Sequence, residues 1–327
     1  MRAVVIPGPK GRWEIREVPR PEPAANQVLI KVHASGICYT DVHLTEGALP
    51  VPFPAILGHE PVGEIVALGA GVATRRLGDR VGVPWVQATC GRCSWCLSNR
   101  PNFCRSSIGT GVGLPGGHAE YMVAFADATM LLPDALSYEQ AAPLFCAGYT
   151  VWSGLRLAEP QPGERVAVVG IGGLGHLAVQ YAHAAGFETL AVTRSADKVQ
   201  LVRDLGADHV VADGEALKKA GGADVVLACS NSNAATSDAL RGLRPDGRLI
   251  VMGFDTQPLA IPSDILLARW RIIGSHQNDR RHLHECLDMA ARGKVKVLTE
   301  TYALADCAHA YEQVEHGRAR FRAVLKP

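Results

Sequence analysis

Residues 166–175 read VAVVGIGGLG, an apolar run of strand character that ends in a glycine turn and opens onto a helical pattern beginning with Leu177 and Ala178. Gly170, Gly172 and Gly175 stand in GxGxxG spacing, with Gly173 and Leu174 completing the turn. In such a turn the first glycine bends the chain tightly, the second lets backbone approach a pyrophosphate, and the third lets helix pack on strand. The helix N-terminus then offers unpaired N–H groups and partial positive charge to a phosphate. Because a strand precedes the turn and a helix follows it, the stretch reads as the first half of a dinucleotide site and not as a structural glycine turn alone.

The pattern continues outward from that turn. Short apolar runs at 189–192, 209–211, 224–228, 247–253 and 270–274 alternate with helical stretches such as 196–205 and 234–243. With the first strand they make six, and Ser195 and Gly206 are the expected caps of the helix 196–205. Strands separated by crossover helices predict an α/β, doubly wound, parallel six-stranded sheet.

The chain has 327 residues, 47% of them hydrophobic, enough for two domains with a core in each. Lysine and arginine number 33 against 32 acidic residues, so no large net field draws in nucleic acid or an anionic membrane. The first thirty residues contain no apolar signal core, and nowhere do 18 uncharged apolar residues run together. The expected location is therefore the cytoplasm, with neither nucleic acid nor membrane as a partner. No internal repeat stands out, and the proline-rich 19–23 reads as a surface connection.

Residues 2–34 show short strand-like runs broken by Gly, Pro and Asn, and the pattern resumes over 58–83. The spacing predicts a β-rich module, closer to a twisted, partly open barrel than to a parallel sheet. Of nine cysteines, Cys90, Cys93, Cys96 and Cys104 form a CxxCxxCx7C array in a loop with Gly91, Ser94, Asn99 and Pro101. Disulfides and an iron–sulfur cluster compete for that array. A reducing compartment and closely spaced CxxC pairs disfavour several unstrained bridges, and a closed four-thiolate lobe suits a structural zinc ion best.

Further soft ligands are scattered: Cys38 in GICYTDVH, His59 in GHEPVG and Cys146 in PLFCAGYT. Singly, each reads as a buried cysteine or a satisfied histidine. Together, two cysteines and a histidine give zinc three protein ligands and a fourth, open position, the arrangement of a catalytic site. Gly58, His59, Glu60, Gly63, Gly69 and Val72 also spell GHExxGxxxxxGxxV. With the four-cysteine lobe and the glycine fingerprint following, the chain resembles the zinc-dependent alcohol dehydrogenases of the medium-chain dehydrogenase/reductase superfamily over its whole length.

That resemblance implies a GroES-like catalytic domain holding both metals over 1–147, a Rossmann domain binding NAD(P) over 148–278, and a segment 279–327 completing the catalytic domain. It implies that Cys38, His59 and Cys146 bind a catalytic zinc, with Glu60 close behind them or a transient ligand, and that Asp41 orients His59. Thr40 would touch the substrate oxygen, and His43 would pass the alcohol proton to solvent by way of the nicotinamide ribose. The implied reaction is reversible hydride transfer between a primary or secondary alcohol and the nicotinamide. Polyol or amino-alcohol oxidation on the same scaffold and a non-catalytic redox sensor are the alternatives. The retained proton path Thr40–His43 argues against the sensor.

At the end of the second strand, LAVTRS, an NAD-binding member would place an aspartate on the adenosine ribose. Thr193 stands there and Arg194 follows, which suits a 2′-phosphate assisted by Ser195 and Lys198, so NADP(H) is favoured over NAD(H). Trp85 falls where relatives narrow the pocket, and Leu49 where ethanol-preferring microbial relatives carry a second tryptophan. An opened wall implies alcohols or aldehydes larger than ethanol. The glycine-rich stretch between Cys104 and Gly117 implies an altered rim. The tail 280–327 reads as helix, strand, helix, strand. Arg322 matches the arginine that reaches the pyrophosphate in relatives, with Arg320 its rival. Relatives pair through the last strands of the Rossmann sheet, so a homodimer or homotetramer is expected through 270–274. Cys229, Cys286 and Cys307 read as structural thiols, and His118 and His276 receive no role.

Overall fold

A computed structural model describing residues 1–327 places the fully buried strand Arg165–Val169 inside a six-stranded parallel sheet. Across the sheet the order is His209–Val211, Glu188–Val192, Arg165–Val169, Ala223–Ala228, Leu243–Val251 and Arg271–Gly274. The chain leaves the central strand in one direction and later returns to its other side. The turn after Val169 therefore lies at the switch point of the strand order, where α/β sheets bind nucleotides. Covered on both faces, the central strands have no polar alternation to show, and Ala167, Val169, Leu190, Val226 and Leu249 share one apolar core.

All six expected strands are present, and local details differ. The stretch 196–205 begins as a 3-10 turn, Ala196–Lys198, before the helix Val199–Asp204. Ser195 stands at its N-cap but does not cap it with its side chain, and its N–H donates to Thr193 Oγ1 (3.2 Å) in a local turn. Gly206 closes the helix as expected, at φ +101°.

Two compact units emerge: Ala147–Lys296, and Met1–Cys146 with Val297–Pro327. The second join thus falls after Lys296, not near 278. The helix Arg280–Ala291 belongs to the nucleotide unit because its side chains are tied there. Trp152 Nε1 donates to Glu285 (2.7 Å), and Tyr181 donates to the Cys286 carbonyl (3.1 Å). Gln180 bonds Lys296 through both the backbone N–H (2.7 Å) and the carbonyl (2.9 Å).

The other unit carries a seven-stranded sheet. Its order is Thr299–Ala303, Arg322–Lys326, Gln27–Ile37, Glu60–Leu68, Arg80–Gly82 and Met130–Leu131, and Tyr121–Phe125 also pairs with Gln27–Ile37. Every pairing is antiparallel except that of Thr299–Ala303 with Arg322–Lys326. The long strand Gln27–Ile37 touches three neighbours, and the irregularities in its pairing with Glu60–Leu68 bend it. Its C-terminal end delivers Cys38.

Candidate active site

Cys38 precedes a short helix, Tyr39–Thr45, that carries Thr40, Asp41 and His43. Asp41 folds back so that Oδ2 accepts the Cys38 backbone N–H (2.8 Å), and Oδ1 accepts that of Gly58 (3.3 Å). A fully buried carboxylate thus joins the segment of one ligand to the segment of the next. Oδ1 also stands 3.5 Å from His59 Nδ1, long for a hydrogen bond but close enough to orient the ring and leave Nε2 for a metal. Cys38 Sγ lies 3.6 Å from Thr40 Oγ1, and His43 lies edge-on to Tyr39 with ring centroids 5.0 Å apart.

Cys38, His59, Glu60 and Cys146 bring their ligand atoms within 4.8 Å of one another. Neither ring nitrogen of His59 has a hydrogen-bond partner although the residue is buried, and Glu60 Oε2 is likewise unpartnered. A tetrahedral ion bonded to sulfur at about 2.3 Å sets two sulfurs about 3.8 Å apart. Cys38 Sγ and Cys146 Sγ are 3.8 Å apart. The donor set therefore fits zinc. Glu60 stands behind the ligands, its Oε1 paired with the Arg322 guanidinium, and only a glycine fits opposite: a Cβ on Gly36 would lie 1.9 Å from Oε2.

The electrostatics follow from burial and crowding. Hydrogen bonding with Cys146 holds the Cys38 thiol well below its usual range, and the same bond, with burial, pushes Cys146 well above it. Burial is the largest influence and works against a charged His59, but the charge and hydrogen bonding of Asp41 together with those of Cys38 outweigh it and raise the ring well above the usual histidine range. Burial raises Glu60 to about 7 against the pull of Arg322.

Cys90, Cys93, Cys96 and Cys104 form the second cluster, again with ligand atoms within 4.8 Å. Sulfur separations of 3.5 Å (Cys93–Cys96), 3.6 Å (Cys104–Cys90) and 4.0 Å (Cys90–Cys96) match the edges of the same tetrahedron. Backbone N–H groups of Cys90 and Cys93 donate to the sulfurs of Cys104 and Cys90, both at 3.4 Å. Backbone donors at Arg92 and Cys93 pull Cys90 down to about 6. All nine cysteines are free thiols, so no disulfide competes for the four.

Trp85 stands edge-on to His59, ring centroids 5.2 Å apart, and Leu49 packs on the same apolar cluster as Trp85. At the glycine turn, Gly170 has φ +85°, a Cβ on Gly175 would lie 2.0 Å from the Gly170 carbonyl oxygen, and a Cβ on Gly172 would meet nothing within 4 Å. Gly173 and Leu174 lead into the helix Gly175–Ala184. Lys198 Nζ donates to the Ile171 carbonyl (2.7 Å), bridging the turn to the segment of Thr193, Arg194 and Ser195, where Arg194 is exposed. Arg322 is buried and Arg320 exposed. Arg322's pairing with Glu60, and the burial of His118 beside Asp41, were not read from the sequence. Both partners lie far away in the chain, and only the register of Arg322–Lys326 on Gln27–Ile37 would have signalled the first.

Comparison with known proteins agrees with this geometry. Residues 24–134 match the alcohol dehydrogenase GroES-like domain and residues 173–292 the zinc-binding dehydrogenase domain. An alcohol dehydrogenase of Geobacillus stearothermophilus is 39% identical over 335 residues, covering 100% of this chain and 99% of that one. The crystal structure of the alcohol dehydrogenase from the hyperthermophilic archaeon Aeropyrum pernix superposes with a TM-score of 0.92 at 30% identity, covering 100% of both chains. That of CAD from Helicobacter pylori complexed with NADP(H) gives 0.92 at 26% identity, covering 99% of this chain and 97% of that one. With its two cysteine-rich donor sets and its nucleotide unit, the chain belongs to the zinc-dependent alcohol dehydrogenases of the medium-chain dehydrogenase/reductase superfamily.

Proposed function

We propose that this alcohol dehydrogenase works with NADP(H) in preference to NAD(H), on primary alcohols and aldehydes larger than ethanol. The observation that carries the cofactor reading is the end of the strand Glu188–Val192, where Thr193 and an exposed Arg194 stand in place of a carboxylate. A ribose 2′-phosphate would meet a guanidinium there and no repelling charge. Lys198, already turned toward the glycine turn, adds a second cation, and Ser195 a hydroxyl. The substrate reading rests on Leu49, packed on the same apolar cluster as Trp85, an aliphatic side chain where a larger ring would close the wall.

Cys38, His59 and Cys146 would hold the catalytic zinc, and Cys90, Cys93, Cys96 and Cys104 the structural one. When bound, the catalytic ion supplies a Lewis acid at the substrate oxygen. Thr40 Oγ1, beside Cys38, takes a hydrogen bond from that oxygen, and His43, one turn of helix further, carries the proton toward solvent. Arg322 would add positive charge for the pyrophosphate while holding Glu60. The exposed Leu266 and Leu267 beside the sheet's outermost strand Arg271–Gly274 support pairing with a second copy into a dimer or tetramer. No helix is long and apolar enough to cross a membrane, in keeping with a cytoplasmic location.

Initial rates of benzaldehyde and short aliphatic aldehyde reduction, with NADPH and NADH side by side, test the reading. NADPH is expected to give the higher kcat/KM, and Arg194→Leu to cut that advantage at least about tenfold. NADH preference in the unmodified enzyme would overturn the assignment of Arg194.

A further inference from the structure

His118 lies in PGGHAE, between the structural lobe and the strand Tyr121–Phe125, in a segment without helical or strand period. Its backbone is held on both sides: its carbonyl accepts the Val4 N–H (2.8 Å) and its N–H donates to the Leu57 carbonyl (3.0 Å). The ring is completely buried, tilted against Trp13 at 5.1 Å. It also fills the space opposite Gly58, whose Cβ would stand 2.6 Å from His118 Nδ1.

Its two nitrogens face different neighbours. Nδ1 lies 3.0 Å from Ser35 Oγ, itself buried in the strand Gln27–Ile37. Nε2 has no hydrogen-bond partner and points at Asp41 Oδ1, 3.9 Å away. Burial presses the ring's pKa down to about 4, so it is neutral and carries one N–H. A carboxylate only accepts, so the favourable tautomer places that hydrogen on Nε2, and Ser35 then donates its hydroxyl to Nδ1. No other arrangement avoids setting a ring lone pair against the Asp41 charge.

We propose that His118 is a positioning residue for the catalytic metal: through Asp41 it fixes the orientation of the ligand His59. Ser35, His118, Asp41 and His59 form a buried polar chain running from the sheet to the metal. Asp41 Oδ1 is shared between two imidazoles, 3.5 Å from His59 Nδ1 and 3.9 Å from His118 Nε2. The N–H dipole of His118 counters the pull of His59 on that oxygen and keeps the carboxylate between them. Groups that orient a metal-bound histidine typically change metal affinity 10- to 100-fold when lost.

The inference rests on the reading of His59 as a zinc ligand, and the test separates the two. Full-length protein and the variants His118→Phe, His118→Gln and Ser35→Ala are dialysed against graded chelator, and zinc per chain is measured. The four-cysteine zinc serves as internal reference. Cobalt-substituted samples report the catalytic site by its absorption spectrum. His118→Phe keeps a ring against Trp13 but no N–H, and is expected to release the catalytic ion at about 10- to 100-fold lower chelator, with shifted cobalt bands. His118→Gln, whose amide N–H reaches the Nε2 position, should recover most of that loss. Ser35→Ala leaves the ring in place and should shift the cobalt bands in the same direction by a smaller amount. If His118→Phe does not fold, the Ser35→Ala bands decide. Unchanged retention and spectra in His118→Phe, or in Ser35→Ala where that variant decides, would overturn the proposal, as would equal losses in the Phe and Gln variants. If the unmodified protein holds only the four-cysteine ion, the ligand reading fails and takes the role of His118 with it.

Discussion

Cys146 and His59 both grip protons, the first because its neighbour Cys38 takes the thiolate, the second because Asp41 charges it. Zinc binds thiolate and neutral imidazole, so on the proposed ligand assignment the ion would have to expel those protons, and Glu60, near 7, would give up part of another. The sign is fixed: lowering the pH refills the groups and weakens the site. Equilibrium dialysis of metal-stripped protein is expected to show zinc affinity at this centre rising at least about tenfold per pH unit from pH 6 to 8. A flat profile would contradict the ligand assignment. At this scale the residues that the structure gathers into the two clusters were legible because the chemistry confines metal donors to a few residue types at recognisable spacing. His118 was not, because a lone histidine in a glycine-rich loop has nothing in its own neighbourhood to distinguish it from a solvated one.

Glycines decide matters at the level of the strand–turn–helix that opens the nucleotide unit, and they do so differently. A methyl group at Gly175 would strike the Gly170 carbonyl at 2.0 Å, whereas one at Gly172 would meet open space. Gly175→Ala is therefore expected to lower the thermal midpoint and cofactor affinity together. Gly172→Ala should change stability by less than about 0.5 kcal/mol yet weaken NADPH binding, because the added methyl group occupies the pyrophosphate's approach. Calorimetry with a binding titration would check the pair, and equal stability loss in both would refute the division of labour. The six strands could be read in advance from their apolar runs. Short helices were harder: Tyr39–Thr45 holds seven residues, too few to show a period, and its start depends on Asp41 folding back to Cys38. Ser195 shows the converse, a good capping residue drawn into a tighter local turn.

For the molecule as a whole, the join at Lys296 went beyond one-dimensional reading: it depends on which surface the helix Arg280–Ala291 packs on, and its amphipathic pattern does not name the partner. The proposed association was expected from the sequence through 270–274, and the fold adds Leu266 and Leu267, 80% and 87% exposed on the four-residue helix that precedes the sheet's outermost strand. Light scattering is expected to return at least twice the 34.8 kDa chain mass, and Leu267→Lys to lower it. A particle of single-chain mass in the unmodified protein would remove the proposed pairing.

The pairing of Glu60 with Arg322 also has a temporal side. During synthesis Cys38 and His59 leave the ribosome early, Cys146 later, and Arg322 only after the entire unit Ala147–Lys296. Residues 147–296 are contiguous and can begin folding as they emerge. The seven-stranded sheet cannot be completed until Arg322–Lys326 reaches the side of Gln27–Ile37. Until then Glu60 lacks the guanidinium that compensates its burial. The nascent chain thus carries Cys38 and His59 outside the finished sheet while more than half of its length is still to be made, and the surroundings of their cluster are completed only with the last strand.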